Sequence, residues 1–160
     1  MNMQSVSRFI VAVCGVAMIA ATAAHAGPVI LAQKLADQAR SGRSDIVTVG
    51  IHAKPPGRAD YIIVAHTVAA SIGHKSDGAD LVTIATGKVD GPNALPGGVF
   101  DVGVTLMDQH GNHIGFLAVH VRPPADSTDP KADALKMVLK LRDQLAQRIP
   151  SQAALFATGN

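Results

Sequence analysis

The chain has 160 residues, with 14 lysines and arginines against 12 aspartates and a formal net charge of +2. So even a balance leaves no electrostatic footprint for nucleic acid. One tyrosine, four phenylalanines and no tryptophan leave little from which to build base-stacking platforms or aromatic cages for cations.

Residues 1–26 read as an export signal. Arg8 supplies the positive start, Phe9 to Ala24 is an apolar run without a charge, and Ala24-His25-Ala26 forms a small-x-small cleavage site before Gly27. A membrane anchor is the competing reading. The run falls short of the ~20 residues a spanning helix needs, which favours cleavage. The expected location is periplasmic or secreted, with no membrane attachment after cleavage. Cys14, the single cysteine, lies within this segment. The remainder therefore has no disulfide, no thiolate nucleophile and no cysteine-ligated metal. It is long enough for one core, expected over 27–150, with 151–160 as a C-terminal tail.

In chain order, Pro28 to Arg40 has the spacing of a helix, with Leu31, Ala32, Leu35, Ala36 and Ala39 on one side and Gly42 beyond its end. Asp45 to Ala53 alternates as a strand. Lys54-Pro55-Pro56-Gly57-Arg58 must turn, because consecutive prolines cannot donate ladder hydrogen bonds. Tyr61 to Thr67 is a second strand. Val68 to Asp90 forms a crossover, in which Ser76 or Asp77 caps a short helix over Ala79 to Thr86 and Gly87 ends it. Gly91 to Gly98 reads as a proline- and glycine-rich loop. Phe100 to Val121 is a long β-hairpin about the turn Asp108-Gln109-His110-Gly111-Asn112. Its apolar face carries Phe100, Val102, Val104 and Leu106 with Leu117, Val119 and Val121. Asp129 caps the last helix and Pro130 opens it. Leu135, Val138, Leu141, Leu145 and Ile149 form its stripe, and Pro150 stops it. In the tail, Leu155-Phe156 is expected to fold back. The fold class is α+β: an antiparallel sheet whose apolar face is covered by the N- and C-terminal helices.

Ile72-Gly73-His74-Lys75-Ser76-Asp77 and Thr86-Gly87-Lys88 in the crossover, Asp108-x-x-Gly111-x-x-Ile114-Gly115 in the hairpin, and the final Leu-Arg-Asp-Gln-Leu helix together resemble the small periplasmic single-Cache or PAS-like sensor domains. The resemblance covers the chain beyond the signal. It implies a small-metabolite pocket under the crossover; sensors of this kind usually continue into a transmembrane helix and an output domain, and the expectation here is a departure from that pattern, a domain without an output of its own.

Alternation places Asp101 and Thr105 together, and Phe116 with His120, on the sheet face away from the helices. That makes a small-ligand floor or an ordinary solvent-facing surface. By the resemblance Arg58 and Lys75 flank the same region and can receive a carboxylate. Six histidines follow the signal: His52, His66, His74, His110, His113 and His120. His110 and His113 offer a His-x-x-His pair for a metal or haem iron, and His52 and His120 can share a sheet face. No G-x-S-x-G elbow, HExxH or complete phosphate loop occurs. The expectation is a binding protein and not an enzyme. It needs no cofactor and takes a small molecule; a histidine-based metal or haem carrier, or a ligand-free module that meets a protein partner or homodimerises, are the alternatives.

Overall fold

The computed structural model describes residues 29–158; the expected export signal lies outside them. The elements run α1 (Leu31–Arg40), β1 (Ile46–Ala53), β2 (Ile62–His66), a 3-10 turn at Ala69–Ser71, α2 (Gly78–Thr86), β3 (Asp90–Leu95), β4 (Val99–Met107), β5 (His113–Val121), α3 (Pro130–Ala146) and a 3-10 turn at Gln152–Phe156. The five strands form one antiparallel sheet in the order β2-β1-β5-β4-β3. The fold is α+β, and its arrangement is compatible with the PAS/Cache class. No helix among the described residues is long and apolar enough to cross a membrane.

The long hairpin is the centre of the sheet. Phe100 faces Val121, Val102 faces Val119 and Val104 faces Leu117, so one face of both strands is wholly apolar. That face meets α3 through Ala134, Val138, Leu141 and Leu145, while α1 packs Ala32, Leu35 and Ala36 over β1 and β2; all seven are buried. β1 joins the same core with Val49 and Ile51, each fully buried. The hairpin turns on Asp108. Its Oδ1 accepts the backbone N–H of His110 at 2.9 Å and of Asn112 at 3.0 Å, and Oδ2 accepts the Asn112 side-chain amide at 2.9 Å. The Asn112 amide is the main reason this carboxyl stays below its usual range. Gly111 takes the left-handed conformation the turn requires, φ +81°.

α3 opens as its sequence implies, with Pro130 in the first turn and Asp129 Oδ1 accepting the Ala132 N–H at 3.0 Å. It ends at Ala146, short of Ile149, but Ile149 is still fully buried on the turn that follows. The tail does fold back. Leu155 is fully buried, and the Ala157 carbonyl accepts the Leu31 N–H at 2.9 Å, joining the two ends of the domain. α1 begins at Leu31, with Ile30 held in a bridge to Thr158.

One expectation is corrected. Most of the segment read as a loop, Gly91 to Gly98, is an edge strand. Asn93 pairs with Asp101, Ala94 with Phe100 and Leu95 with Val99. An edge strand owes hydrogen bonds on one side only, so Pro92 is tolerated. The register slips between Asp90 and Asn93 to pass it.

The crossover adds to the outer edge of β2 before it reaches α2. The Gly73 N–H donates to the Ile63 carbonyl and the Ile63 N–H to the His74 carbonyl, both at 2.8 Å, and the Ser76 N–H donates to the Tyr61 carbonyl at 3.1 Å. This contact delivers α2 to the sheet face opposite α1 and α3, where it packs over β4 and β5.

Candidate functional site

Strand register builds the polar face in three parallel rows. The middle row crosses all five strands: His66, Gly50, Ala118, Gly103 and Asp90. Its three central members carry nothing larger than a methyl group, which leaves a trench across the sheet. On one side runs the row His52, Phe116 and Thr105; on the other runs Thr48, His120, Asp101 and Asn93. Two rings lie down in the trench. A Cβ on Gly50 would come within 2.7 Å of the His66 ring, and one on Gly103 within 2.3 Å of the Phe116 ring. Glycine at both positions is what lets these rings lie against the backbone.

α2 roofs the His52 row. Asp77 caps it by accepting the N–H groups of Ala79 at 2.8 Å and Asp80 at 3.0 Å, and Asp80 returns the bond to the Asp77 N–H at 3.1 Å. Gly87 ends it in the left-handed conformation, φ +72°. The Thr105 hydroxyl donates to the Thr83 carbonyl at 3.0 Å. His52 Nδ1 lies 3.0 Å from both the Ser76 hydroxyl and an Asp80 carboxylate oxygen, and the His52 ring meets Phe116 edge to face at 5.0 Å. Thr83 is the one buried residue of this helix; Leu81 and Val82 stay 43% and 55% exposed. Polar contacts, more than apolar burial, hold α2 in place, and such elements open at low free-energy cost. Asp77→Ala should therefore weaken α2 by about 1 kcal/mol. Its amides should exchange hydrogen roughly fivefold faster while those of β4 and β5 are unchanged.

Ser76, His52 and Asp80 have the composition of a hydrolytic triad but not its geometry. Hydroxyl and carboxylate meet the same ring nitrogen, whereas a relay needs them on opposite nitrogens. The trio anchors the crossover.

Among the described residues no helix packs over the other half of the polar face. There Ala118, His120, Asp101, Thr48 and His66 are half-buried. His66 Nδ1 accepts the Val68 N–H at 2.8 Å, so the neutral ring carries its proton on Nε2, beside the trench. Gln33 of α1 fixes the backbone beneath it, accepting the His66 N–H and donating to the His66 carbonyl, each at 3.1 Å. His120 Nε2 stands 3.5 Å from Asp101 Oδ1.

The electrostatics mark a shared, partly dry site. Burial, with the charge of His66 behind it, lowers the His52 pKa to about 4, and Asp77 only partly opposes this. Burial also lowers that of His66, with His120 adding to the effect. Burial raises the pKa of Asp101, which His120 opposes and Asp90 and Asp77 reinforce. Asp80 is raised by burial as well, against its hydrogen bond from Asp77.

Of the residues expected at a ligand site, the structure brings together Asp101 and His120. Thr105 lies on the same face, but it is buried beneath α2 with its hydroxyl already bonded. Arg58 and Lys75 are elsewhere: Arg58 is exposed in the β1–β2 turn and Lys75 pairs with Asp60 at 2.8 Å, outside the roofed region. His110 and His113 are exposed at the hairpin end, where His110 Nε2 meets the Gln109 amide at 3.2 Å. No group of three or more histidine, cysteine, aspartate or glutamate side chains among the described residues is placed to hold a metal ion. His66, Asp80 and Ser76 are the site residues that sequence pattern alone did not single out for this face. His66 enters it through a register slip between Ile51 and His52 that strict alternation does not show.

No protein-family model matches this chain, and no curated protein sequence matches it. Among solved structures it is similar to a crystal structure of the Agobacterium tumefaciens repressor BlcR, at 12% identity over 75% of this chain and 67% of that one, with a TM-score of 0.46. That distant similarity contributes nothing to the functional reading.

Proposed function

We propose that this chain is a Cache/PAS-like binding domain that captures a small polar molecule on the open half of the polar face, beside α2. One observation carries the reading: His66 from β2, His120 from β5 and Asp101 from β4 converge, half-buried, around a trench floored by Gly50 and Ala118. Desolvated titratable groups cost folding free energy, so a cluster of them in a solvent-reaching recess fits a ligand better than it fits stability. The imidazoles supply donors and acceptors, and Asp101 an acceptor that becomes a donor when protonated. Capture orders the crossover, whose α2 is held mainly by polar contacts. In the same proposal residues 1–26 export the domain to the periplasm or beyond the cell, and no bond of the ligand is made or broken.

The test is a two-dimensional amide NMR titration of the protein lacking residues 1–26 against a panel of polar metabolites at millimolar concentration. Saturable shifts at Gly50, Gly103, Ala118 and His120 are expected for at least one compound. Asp101→Asn or His120→Ala should weaken that binding about tenfold, equivalent to ~1.4 kcal/mol, because one hydrogen-bonding partner is lost. A panel that leaves all these amides unmoved, or binding indifferent to both substitutions, refutes the site.

A further inference from the structure

A second recess lies beside α3, which covers the other face of the sheet. It is a groove of about 440 Å³ between the segment that follows β5 and the solvent side of α3. Its floor is apolar, from Met137 and Pro124. Arg122, Lys136 and Lys140 stand around it, all exposed. Lys136 and Lys140 are one helical turn apart and share a side of α3. Arg122 is held at the opposite wall, because its backbone N–H donates to the Asp45 carbonyl at 2.8 Å. None of these three cationic groups makes a hydrogen bond or ion pair with another described side chain.

The two acids at the groove are already engaged. Asp45 accepts from Arg43 at two points, 3.1 and 2.6 Å, and those bonds hold its carboxyl below the usual range. Asp133 accepts the Ser127 hydroxyl at 2.6 Å. Three unspent cations over a methionine floor, with the neighbouring carboxylates partnered, complement one kind of occupant. We infer that this groove binds a small amphiphilic anion: a carboxylate on a short apolar body. The guanidinium of Arg122 takes the carboxylate in a forked pair, the two lysines add point charge, and Met137 packs on the apolar body. The volume falls in the range of small-molecule sites, roughly 300–1,000 Å³. This inference is independent of the polar-face site.

Octanoate is the probe, titrated into the isotope-labelled protein lacking residues 1–26 at low ionic strength, with octanol and inorganic phosphate as the apolar and anionic controls. Saturable shifts are expected at the amides of Arg122, Lys136, Met137 and Lys140, weaker with either control. Arg122→Gln and Lys140→Gln, both at exposed positions, should each raise the octanoate Kd about threefold, as loss of one exposed ion pair does. Raising the salt should weaken binding in the same direction. Equal shifts with octanol, shifts that never saturate, or a Kd unmoved by both substitutions overturn the inference. Co-sedimentation with phosphatidylcholine vesicles carrying oleate, a membrane-borne carboxylate, separates the sources of the anion. Loss of vesicle binding in the Arg122→Gln, Lys140→Gln double variant, alongside octanoate binding, makes a lipid one source of the occupant; octanoate binding without vesicle binding makes it a free molecule. Vesicle binding without octanoate binding refutes the groove as drawn.

Discussion

Gly115→Ala should be the most damaging single-methyl substitution in this sheet, costing about 3 kcal/mol, at the upper end of what overpacking does. Gly115 is buried in β5, between Ala53 of β1 and Leu106 of β4. Its backbone is not in the left-handed region, so conformational freedom is not the issue. Space is: a Cβ there would sit 2.1 Å from the His52 carbonyl oxygen, a backbone atom of the neighbouring strand. A side chain can rotate away from a new methyl group, but a ladder carbonyl cannot move without breaking the β1–β5 pairing and shifting His52 beneath α2. Gly111→Ala is the control. Its φ of +81° strains any other residue, but nothing lies within 4 Å of the new carbon, so the cost should be about 1 kcal/mol. Urea denaturation midpoints compare the two. A Gly115→Ala protein no less stable than Gly111→Ala would mean that the strands separate more easily than their packing implies.

The parts legible in the sequence are those where local pattern and tertiary demand agree. Alternation from Phe100 to Val121 identifies the hairpin and its apolar face, because a strand buried on one side must repeat every second residue. Gly87, and Asp129 with Pro130, are helix-end chemistry and read directly; the α2 cap was open between Ser76 and Asp77, and Asp77 takes it. β3 was hidden because Asp90-Gly-Pro-Asn-Ala-Leu has turn composition, and its strand geometry comes from β4's free edge instead of its own propensity. The same division runs through the site. Asp101 opposite His120 follows from alternation in two paired strands. His66 beside Gly50 does not, because the slip at Ile51/His52 changes the phase of β2. Asp80 reaches His52 only because α2 crosses the sheet, a packing fact with no local signature. Arg58 and Lys75 came from resemblance rather than spacing. Lys75 is spent on Asp60, whose carboxyl it holds below the usual range through their hydrogen bond, with the charge of Arg58 adding to the effect.

Acidification should loosen the roof over the polar face before it unfolds the helix-covered core. His52 titrates near 6.5 when unfolded and about 4 in place, mainly because it is buried. Between those values the unfolded chain binds the proton and the folded chain does not. The stabilisation from neutral His52 is thus complete above pH 6.5 and lost as the pH falls towards 4, about 3 kcal/mol at ~1.4 kcal/mol per unit. His66, also lowered, acts in the same direction. Asp80 and Asp101, both raised, act in the opposite direction, since the folded chain takes up their protons more readily than the unfolded one. Asp45, lowered by Arg43, contributes its loss only below about 4, outside this window. A net loss of stability, led by His52, is therefore expected between pH 6.5 and 4, read from urea midpoints across the range. His52→Asn is the discriminating variant, because its amide nitrogen can replace Nδ1 towards Asp80 but carries no titrating proton. It should be less stable than the parent at pH 7, having lost the ring contact with Phe116, yet show a smaller fall on acidification. An equal fall in both proteins would place the acid sensitivity on His66 and not on His52. An attenuated fall, with α2 amides exchanging first, would tie the proton to the contact that holds the crossover over the sheet.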